Sequence, residues 1–199
     1  DAPFQSPQSL YSDGGWDAIA ADTTEKDALL KSLGLNLNLA PVCDVSTDPS
    51  DFMFSRAFGA DAMQTAEYVK TVVTAMTKDH LGCVLKHFPG YGSNADTHTG
   101  SSVDERPYET FQAADFMAFQ AGIDAGAGAV MVCHSIVVSM DDKAPASMSA
   151  EVHRILREEL GFDGVVITDD INMQAVANYA GEQNAAVLAL LAGNDMIIS

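Results

Sequence analysis

The sequence predicts an α/β fold of the TIM-type (β/α)8 barrel class, and three patterns indicate it. Short apolar runs alternate with helical stretches five times along the 199 residues. Each run is nearly continuous, as in the strands of a parallel sheet that helices cover. Polar side chains follow the runs, which is typical of a barrel with its site at the carboxyl ends of the strands. A doubly wound nucleotide fold is not favoured, because the chain has no G-x-G-x-x-G or Walker A motif.

Five runs carry the strand prediction, and each is too short and too apolar for a surface element. They cover residues 35–42, 83–88, 129–133, 165–168 and 196–198. Because helical stretches connect successive runs, we expect adjacent parallel strands of one sheet.

The connecting stretches have helix-capping residues or helical periodicity. Within residues 61–80, apolar side chains recur at a spacing of three to four, and Gly82 follows. Ser149 is the expected N-cap of a helix that runs to Leu160. Further helices are predicted at 24–33, 108–125, 171–178 and 182–192, and loops at 1–22 and 89–107.

The number of strands indicates an incomplete barrel, since a complete one takes about 250 residues. The chain starts with Asp1 and not with Met, and it stops directly after an apolar run. We therefore expect residues 1–199 to be a single domain, the C-terminal part of a barrel with about five β/α units that lacks roughly its first three strands. The strand at 35–42 is then expected to have a bare edge that pairs with a missing N-terminal segment or another chain.

Composition limits the partners that the chain can have. The formal net charge of −18 argues against nucleic acid and anionic membranes, because phosphates would be repelled. No apolar run approaches the roughly 20 residues of a transmembrane helix, so membrane insertion is not expected. The spacing of Cys43, Cys83 and Cys133 fits neither a zinc motif nor a disulfide framework, which predicts buried free thiols.

The most informative motif runs from Lys86 to Gly92, with the sequence K-H-F-P-G-Y-G, and Asp96-Thr97-His98 follows it. A second apolar run ends in Asp169 and Asp170. An acid and an acid–histidine pair at one face suit two-step nucleophilic and acid/base chemistry. From the residues alone, either aspartate at 169 or 170 also fits a helix cap, and His98 also fits a solvated loop histidine.

Other polar residues at strand ends are weaker candidates. Lys86 and His87 would be costly in a buried strand unless they faced a polar pocket. Asp44 and His134 fit pocket lining and structural hydrogen bonding equally well, whereas His153 is expected on a helix surface. A metal centre is not expected, since no His-x-His or H-E-x-x-H pair is present, and no cofactor is predicted.

Five motifs in order resemble glycoside hydrolase family 3, in its β-N-acetylhexosaminidase branch, over essentially the whole chain. They are N-L-A-P-V-C-D-V at 38–45, S-R-A-F-G at 55–59, K-H-F-P-G-Y-G at 86–92, D-T-H at 96–98 and I-T-D-D at 167–170. The family's segment D-x-E-G-G-x-V-x-R has no counterpart in this sequence. The resemblance implies that a sugar-contacting aspartate of that segment comes from a missing piece, so the isolated fragment is expected to be inactive.

The resemblance also implies a role for each candidate. Asp169 would be the nucleophile, His98 the general acid/base, and Asp96 the residue that orients His98. Arg56, Lys86 and His87 would bind sugar hydroxyls. Asp44 and His134 are further substrate-binding candidates.

The expected function is a retaining β-N-acetylhexosaminidase that releases terminal β-linked N-acetylglucosamine from peptidoglycan or chitin-type fragments through a covalent glycosyl-aspartate. A β-glucosidase or an N-acetylglucosaminide phosphorylase of the same family stays open, because a neutral histidine would not repel phosphate. A metal-dependent hydrolase and an inactive fragment are alternatives of other classes. The family leaves the localisation open between the cytoplasm and export to the cell envelope.

Overall fold

The computed structural model describes residues 4–94, 97, 100–181 and 184–199. Within these residues it shows an α/β fold whose main sheet is a parallel half-barrel. The strands are β1 (Leu37–Asn38), β2 (Gly82–Phe88), β3 (Val103–Asp104), β4 (Ala129–Val132), β5 (Ile136–Val137), β6 (Val165–Asp170) and β7 (Met196–Ile198). The helices are α1 (Pro7–Ser32), α2 (Ala62–Lys78), α3 (Tyr108–Ala113), α4 (Asp115–Asp124), α5 (Ala150–Arg154), α6 (Gln174–Ala180) and α7 (Ala185–Ala192).

The main sheet has the strand order β1-β2-β4-β6-β7, and every pair in it is parallel. This confirms the prediction of adjacent parallel strands. β1 lies at one end of the sheet and, among the described residues, is bonded to β2 alone. β1 is shorter than the predicted strand because Pro41 has no N–H to donate to a ladder; beyond it, an isolated bridge joins Val42 to Lys86.

The prediction of a loop over residues 1–22 was wrong, because α1 begins at Pro7. The Ser6 hydroxyl accepts from the backbone N–H of Ser9, and proline is well tolerated in the first turn of a helix. A kink with non-helical dihedral angles at Gly14 and Gly15 divides the helix. Trp16, just after the kink, packs its ring 5.5 Å from that of Phe58. Tertiary packing thus overrides the weak helical signal of this segment.

Three further segments differ from the predicted elements. The predicted helix over 108–125 is divided at Ala114 into α3 and α4, and the helix after Ser149 continues from α5 into a π-helical turn, Ile155–Glu159. The predicted loop over 89–107 contains β3, which pairs with β5 in a separate two-stranded parallel sheet. Each of β3 and β5 has two residues, which is too short for a periodic sequence signal.

The core lies between the sheet and the helices that cover it. Buried residues of α2 and α4 pack on β2, and Gly122 permits close contact: a Cβ at this position would lie 2.6 Å from Leu85. All three cysteines are free and buried, as predicted. None of the helices in the described part of the chain has the length and apolar composition that a bilayer crossing requires.

Candidate active site

The parallel strands bring their carboxyl ends to one edge of the half-barrel, and the candidate side chains gather there. Lys86 and His87 lie near the end of β2, His134 follows β4, and Asp169 lies near the end of β6. Asp44 follows the isolated bridge beside β2.

Asp44 holds the K-H-F-P-G-Y-G segment in place. Its carboxylate is fully buried, and Oδ2 lies 2.8 Å from Nδ1 of His87. Oδ1 accepts the backbone N–H of Tyr91 at 2.8 Å. Since a carboxylate only accepts, Nδ1 of His87 carries the proton, and in the neutral ring Nε2 is the acceptor.

Lys86 is influenced by charges from the connection between β1 and α2 and from the end of β6. Burial is the main cause that lowers the pKa of this half-buried ammonium, and the neighbouring guanidinium of Arg56 lowers it further. The carboxylates of Asp169 and Asp44 oppose this shift. Arg56, Asp44 and Asp169 therefore lie close enough to Lys86 for their charges to affect its pKa.

His134 connects the end of β4 to the end of β6. Its Nδ1 lies 2.7 Å from the Ser147 hydroxyl and its Nε2 lies 3.0 Å from the carbonyl oxygen of Asp170. A carbonyl can only accept, so Nε2 carries the proton and Nδ1 accepts from Ser147. Burial lowers the pKa of His134 below its ordinary value, which favours this neutral tautomer.

The two adjacent aspartates at the end of β6 make different contacts. Asp170 Oδ1 accepts from the backbone N–H and the side-chain amide of Asn172, at 2.9 and 3.0 Å, and so stabilises the turn after the strand. Asp169 is half-buried, and its Oδ1 accepts only the N–H of Asp170 among the described hydrogen bonds. Asp169 therefore keeps one carboxylate oxygen without a donor among the described hydrogen bonds, while Asp170 is engaged in the turn.

Asp96 and His98 lie outside the residues that the structure describes. Across the described positions, no group of three or more His, Cys, Asp or Glu side chains is arranged to hold a metal ion. The prediction that His153 lies on a helix surface was wrong. Its side chain is buried, and its Nδ1 donates to the carbonyl of Ser149 at 2.7 Å. The backbone of Gly193 packs directly against its ring.

An ion-pair network that sequence reasoning missed supports the loop after β2. Arg106 donates to Asp104 at 2.8 Å, to Asp115 at 2.9 Å and to the carbonyl of Gly90 at 3.1 Å. Burial raises the pKa of Asp115 to about 7, and the Arg106 guanidinium opposes this shift. The only sequence signal for this network was the pair of acids near Arg106. The pattern Asp-x-Arg is common on protein surfaces, so it does not predict a buried ion pair without the fold.

The sequence matches a model of the "Glycosyl hydrolase family 3 N terminal domain" over residues 3–199. The beta-hexosaminidase of Xanthomonas campestris pv. campestris strain B100 is 34% identical over 201 residues, which cover 99% of this chain and 60% of that protein. The chain thus spans about three fifths of the length of this curated relative.

Solved structures show the same similarity. The beta-N-acetylhexosaminidase of Beutenbergia cavernae DSM 12333 superposes with a TM-score of 0.88 at 34% identity, over 99% of this chain and 60% of that one. A glycoside hydrolase family 3 beta-N-acetylglucosaminidase from Paenibacillus sp. str. FPU-7 gives a TM-score of 0.91 at 30% identity, over 96% of this chain and 37% of that one.

Proposed function

The chain belongs to glycosyl hydrolase family 3, and from this premise we propose that it carries the nucleophile of a retaining β-N-acetylhexosaminidase. The substrate would be terminal β-linked N-acetylglucosamine in peptidoglycan or chitin-type fragments. The observation that supports this most directly is the Asp169 carboxylate at the end of β6, which is close enough to Lys86 for its charge to raise the pKa of that ammonium. Relatives named for hexosaminidase activity support the choice of sugar.

We also propose that residues 1–199 form one domain, the C-terminal part of a (β/α)8 barrel. Five parallel strands of a half-barrel with β1 at its edge support this arrangement. Strands from elsewhere in the protein, or from another chain, would pair with β1 and complete the pocket.

The first chemical step forms a glycosyl ester. A carboxylate oxygen of Asp169 attacks the anomeric carbon, and the bond from that carbon to the glycosidic oxygen breaks. His98 gives its proton to the departing oxygen, so the aglycone leaves as an alcohol. The transition state resembles an oxocarbenium cation, which the negative charge of Asp169 stabilises.

The second step releases the sugar with net retention of configuration. Neutral His98 takes a proton from water, the water oxygen bonds to the anomeric carbon, and the ester to Asp169 breaks. Asp96 would hold one nitrogen of the His98 ring and set its tautomer. Arg56, Lys86 and His87 would bind sugar hydroxyls, with His87 oriented by Asp44. Asp44 and His134 are buried and have both carboxylate oxygens and both ring nitrogens engaged by protein groups, so they would support the site from behind without touching the sugar.

The test is hydrolysis of an aryl β-N-acetylglucosaminide by the full-length gene product. We expect Asp169→Asn to reduce turnover by at least about 10³-fold, because an amide is a far poorer nucleophile. Asp163→Asn is the matched control, since Asp163 is exposed at the opposite end of β6. Equal activity of the two variants would refute the proposal.

Two further measurements separate the alternatives. A glycosyl phosphate among the products in phosphate buffer would show a phosphorylase. Loss of activity with a chelator, restored by added metal ions, would show a metal-dependent hydrolase.

A further inference from the structure

We propose that Tyr91 and Thr97 are positioning residues for the acid/base step. They would fasten the loop that carries Asp96 and His98 to the segment that follows the nucleophile strand. The inference rests on the proposed function, because it requires His98 to be the residue that transfers the proton.

Thr97 lies in the connection between β2 and β3, is fully buried and makes three contacts. Its hydroxyl is hydrogen-bonded to the hydroxyl of Tyr91 and lies 3.7 Å from the sulfur of Met173. Its carbonyl oxygen accepts the backbone N–H of Ala175 at 3.4 Å. Met173 and Ala175 lie at the start of α6, shortly after Asp169. Thr97 therefore joins the loop after β2 to the loop after β6.

Tyr91 is the fixed end of this connection. Its side chain is 2% exposed, and its backbone N–H is bound by buried Asp44. Its ring is nearly perpendicular to the His87 ring, at a centroid distance of 5.4 Å. Burial raises the pKa of Tyr91 well above its ordinary value, so the phenol keeps its proton and can donate.

The contacts of the two hydroxyls define a direction for the hydrogen bonds. Thr97 has one hydroxyl proton, and the thioether of Met173 can only accept it. The Tyr91 hydroxyl therefore donates to Thr97 Oγ1, which in turn donates to the sulfur. Removal of the Tyr91 hydroxyl would leave the buried Thr97 oxygen without its donor, which weakens the connection.

This connection has a chemical consequence because proton transfer requires close geometry. A general acid must lie within about 3.2 Å of the departing oxygen, or act through one water. Asp96 and His98 directly flank Thr97 in the sequence, so we expect that loss of the Thr97 contacts would alter the geometry of proton transfer. Asp169 shortly precedes Met173, which Thr97 contacts. The connection would therefore keep the proposed nucleophile and the acid/base loop at a fixed separation.

The experiment compares kcat/KM for two β-N-acetylglucosaminides that differ only in the leaving group. A dinitrophenol leaves without proton transfer, whereas an alkyl alcohol needs it. For Tyr91→Phe and Thr97→Val in the full-length gene product, we expect kcat/KM to fall about 10- to 100-fold with the alkyl glycoside. With the dinitrophenyl glycoside we expect a change of less than about threefold, since that step does not use the acid.

Matched variants separate positioning from folding. Thr97→Ser keeps the hydroxyl and should keep the wild-type ratio between the two substrates. Tyr108→Phe removes a tyrosine hydroxyl that donates to Glu159 at the surface, and it should leave both rates unchanged. Equal losses with both substrates in Tyr91→Phe, or no loss with either, would overturn the proposal.

A second readout does not depend on turnover. Tyr91→Phe and Thr97→Val should speed amide hydrogen exchange in the peptide that spans residues 94–101, while Thr97→Ser and Tyr108→Phe should not. Unchanged exchange would overturn the connection itself. If the wild-type protein cleaves neither substrate, the proposed function fails, and the exchange result still decides whether Tyr91 and Thr97 hold the loop.

Discussion

At the level of single residues, the aspartates of the candidate site differ in their hydrogen-bond partners. Asp44 is bound by His87 and by the backbone of the following loop, and Asp170 is bound by Asn172. Asp169 keeps an oxygen that the described protein donors do not occupy. The N-L-A-P-V-C-D-V, K-H-F-P-G-Y-G and I-T-D-D motifs contain Asp44, His87 and the two adjacent aspartates, and the sequence predicted them at strand ends. Their distinct contacts could not be predicted, because they depend on the turn after β6 and on the approach of two separate loops.

The first prediction concerns the proposed proton donor. His98→Ala should reduce kcat/KM for a poor leaving group by about 10²-fold or more and much less for a dinitrophenyl glycoside. An added small acid such as formate, which can enter the vacated space, should restore part of the loss. Equal losses for both leaving groups would indicate that His98 binds substrate and does not transfer protons.

The second prediction concerns Asp27, a buried acid on α1. Neither of its carboxylate oxygens has a hydrogen-bond partner among the described residues. Burial, and after it the neighbouring Asp79, raises the pKa of Asp27 to about 6 from 3.8. The folded chain thus holds this proton more tightly than the unfolded chain. The contribution of Asp27 to stability therefore falls as the pH rises from about 4 to 6, and it stays low above that range.

Asp27→Asn should remove this pH dependence, because the amide stays neutral and can donate to Asp79. At pH 8 we expect a thermal midpoint about 2–4 °C above wild type, and a smaller difference at pH 4.5. Asp163→Asn is the control at an exposed position. A difference that does not change with pH, or a less stable variant at pH 8, would contradict the assignment.

At the scale of elements, the apolar runs at 83–88, 129–133 and 165–168 predicted strands well because their burial on both faces leaves a strong signal. The N-terminal part of α1 had no such signal, since Ser, Asp and Gly dominate its sequence and aromatic packing on Phe58 holds it. The break at Ala114 between α3 and α4 likewise had no local sequence signal. Propensity describes the local chain, whereas these features depend on tertiary contacts.

The third prediction concerns the loop after β2. Gly90 has a φ of +123°, and a Cβ there would lie 2.0 Å from the carboxylate of Asp115, which pairs with Arg106. Gly90→Ala should therefore cost roughly 1–3 kcal/mol in the free energy of unfolding, measured by urea denaturation. Gly100→Ala is the control in the same loop, where a Cβ would contact nothing within 4 Å. Equal stability of the two variants would show that the Arg106 network does not constrain the loop.

At the scale of the whole molecule, the half-barrel exposes apolar surface near the start of its strands. A groove of about 470 Å³ is lined by residues that include Leu37, Val165 and Met196. Leu37 and Met196 are 45% and 57% exposed. The net charge of −18 opposes self-association through this groove, and salt screens that repulsion.

The fourth prediction follows from this balance. The 199-residue chain should bind a hydrophobic dye, and its light scattering should increase as salt is raised from about 0.05 to 0.5 M. Leu37→Lys combined with Met196→Lys should weaken both effects. Leu33→Lys is the control, because Leu33 is exposed but does not line the groove. Salt-independent scattering would indicate that the groove is not an association surface.

A covalent glycosyl-aspartate on Asp169 can be detected by mass spectrometry. The full-length gene product is incubated with a 5-fluoro-N-acetylglucosaminyl fluoride, whose ring fluorine slows both steps while fluoride departs readily. We predict that the proteolytic peptide containing Asp169 gains the mass of one sugar, and that Asp169→Asn abolishes the label. A label on another residue, or turnover of an aryl glycoside with no label on any peptide, would contradict the claim.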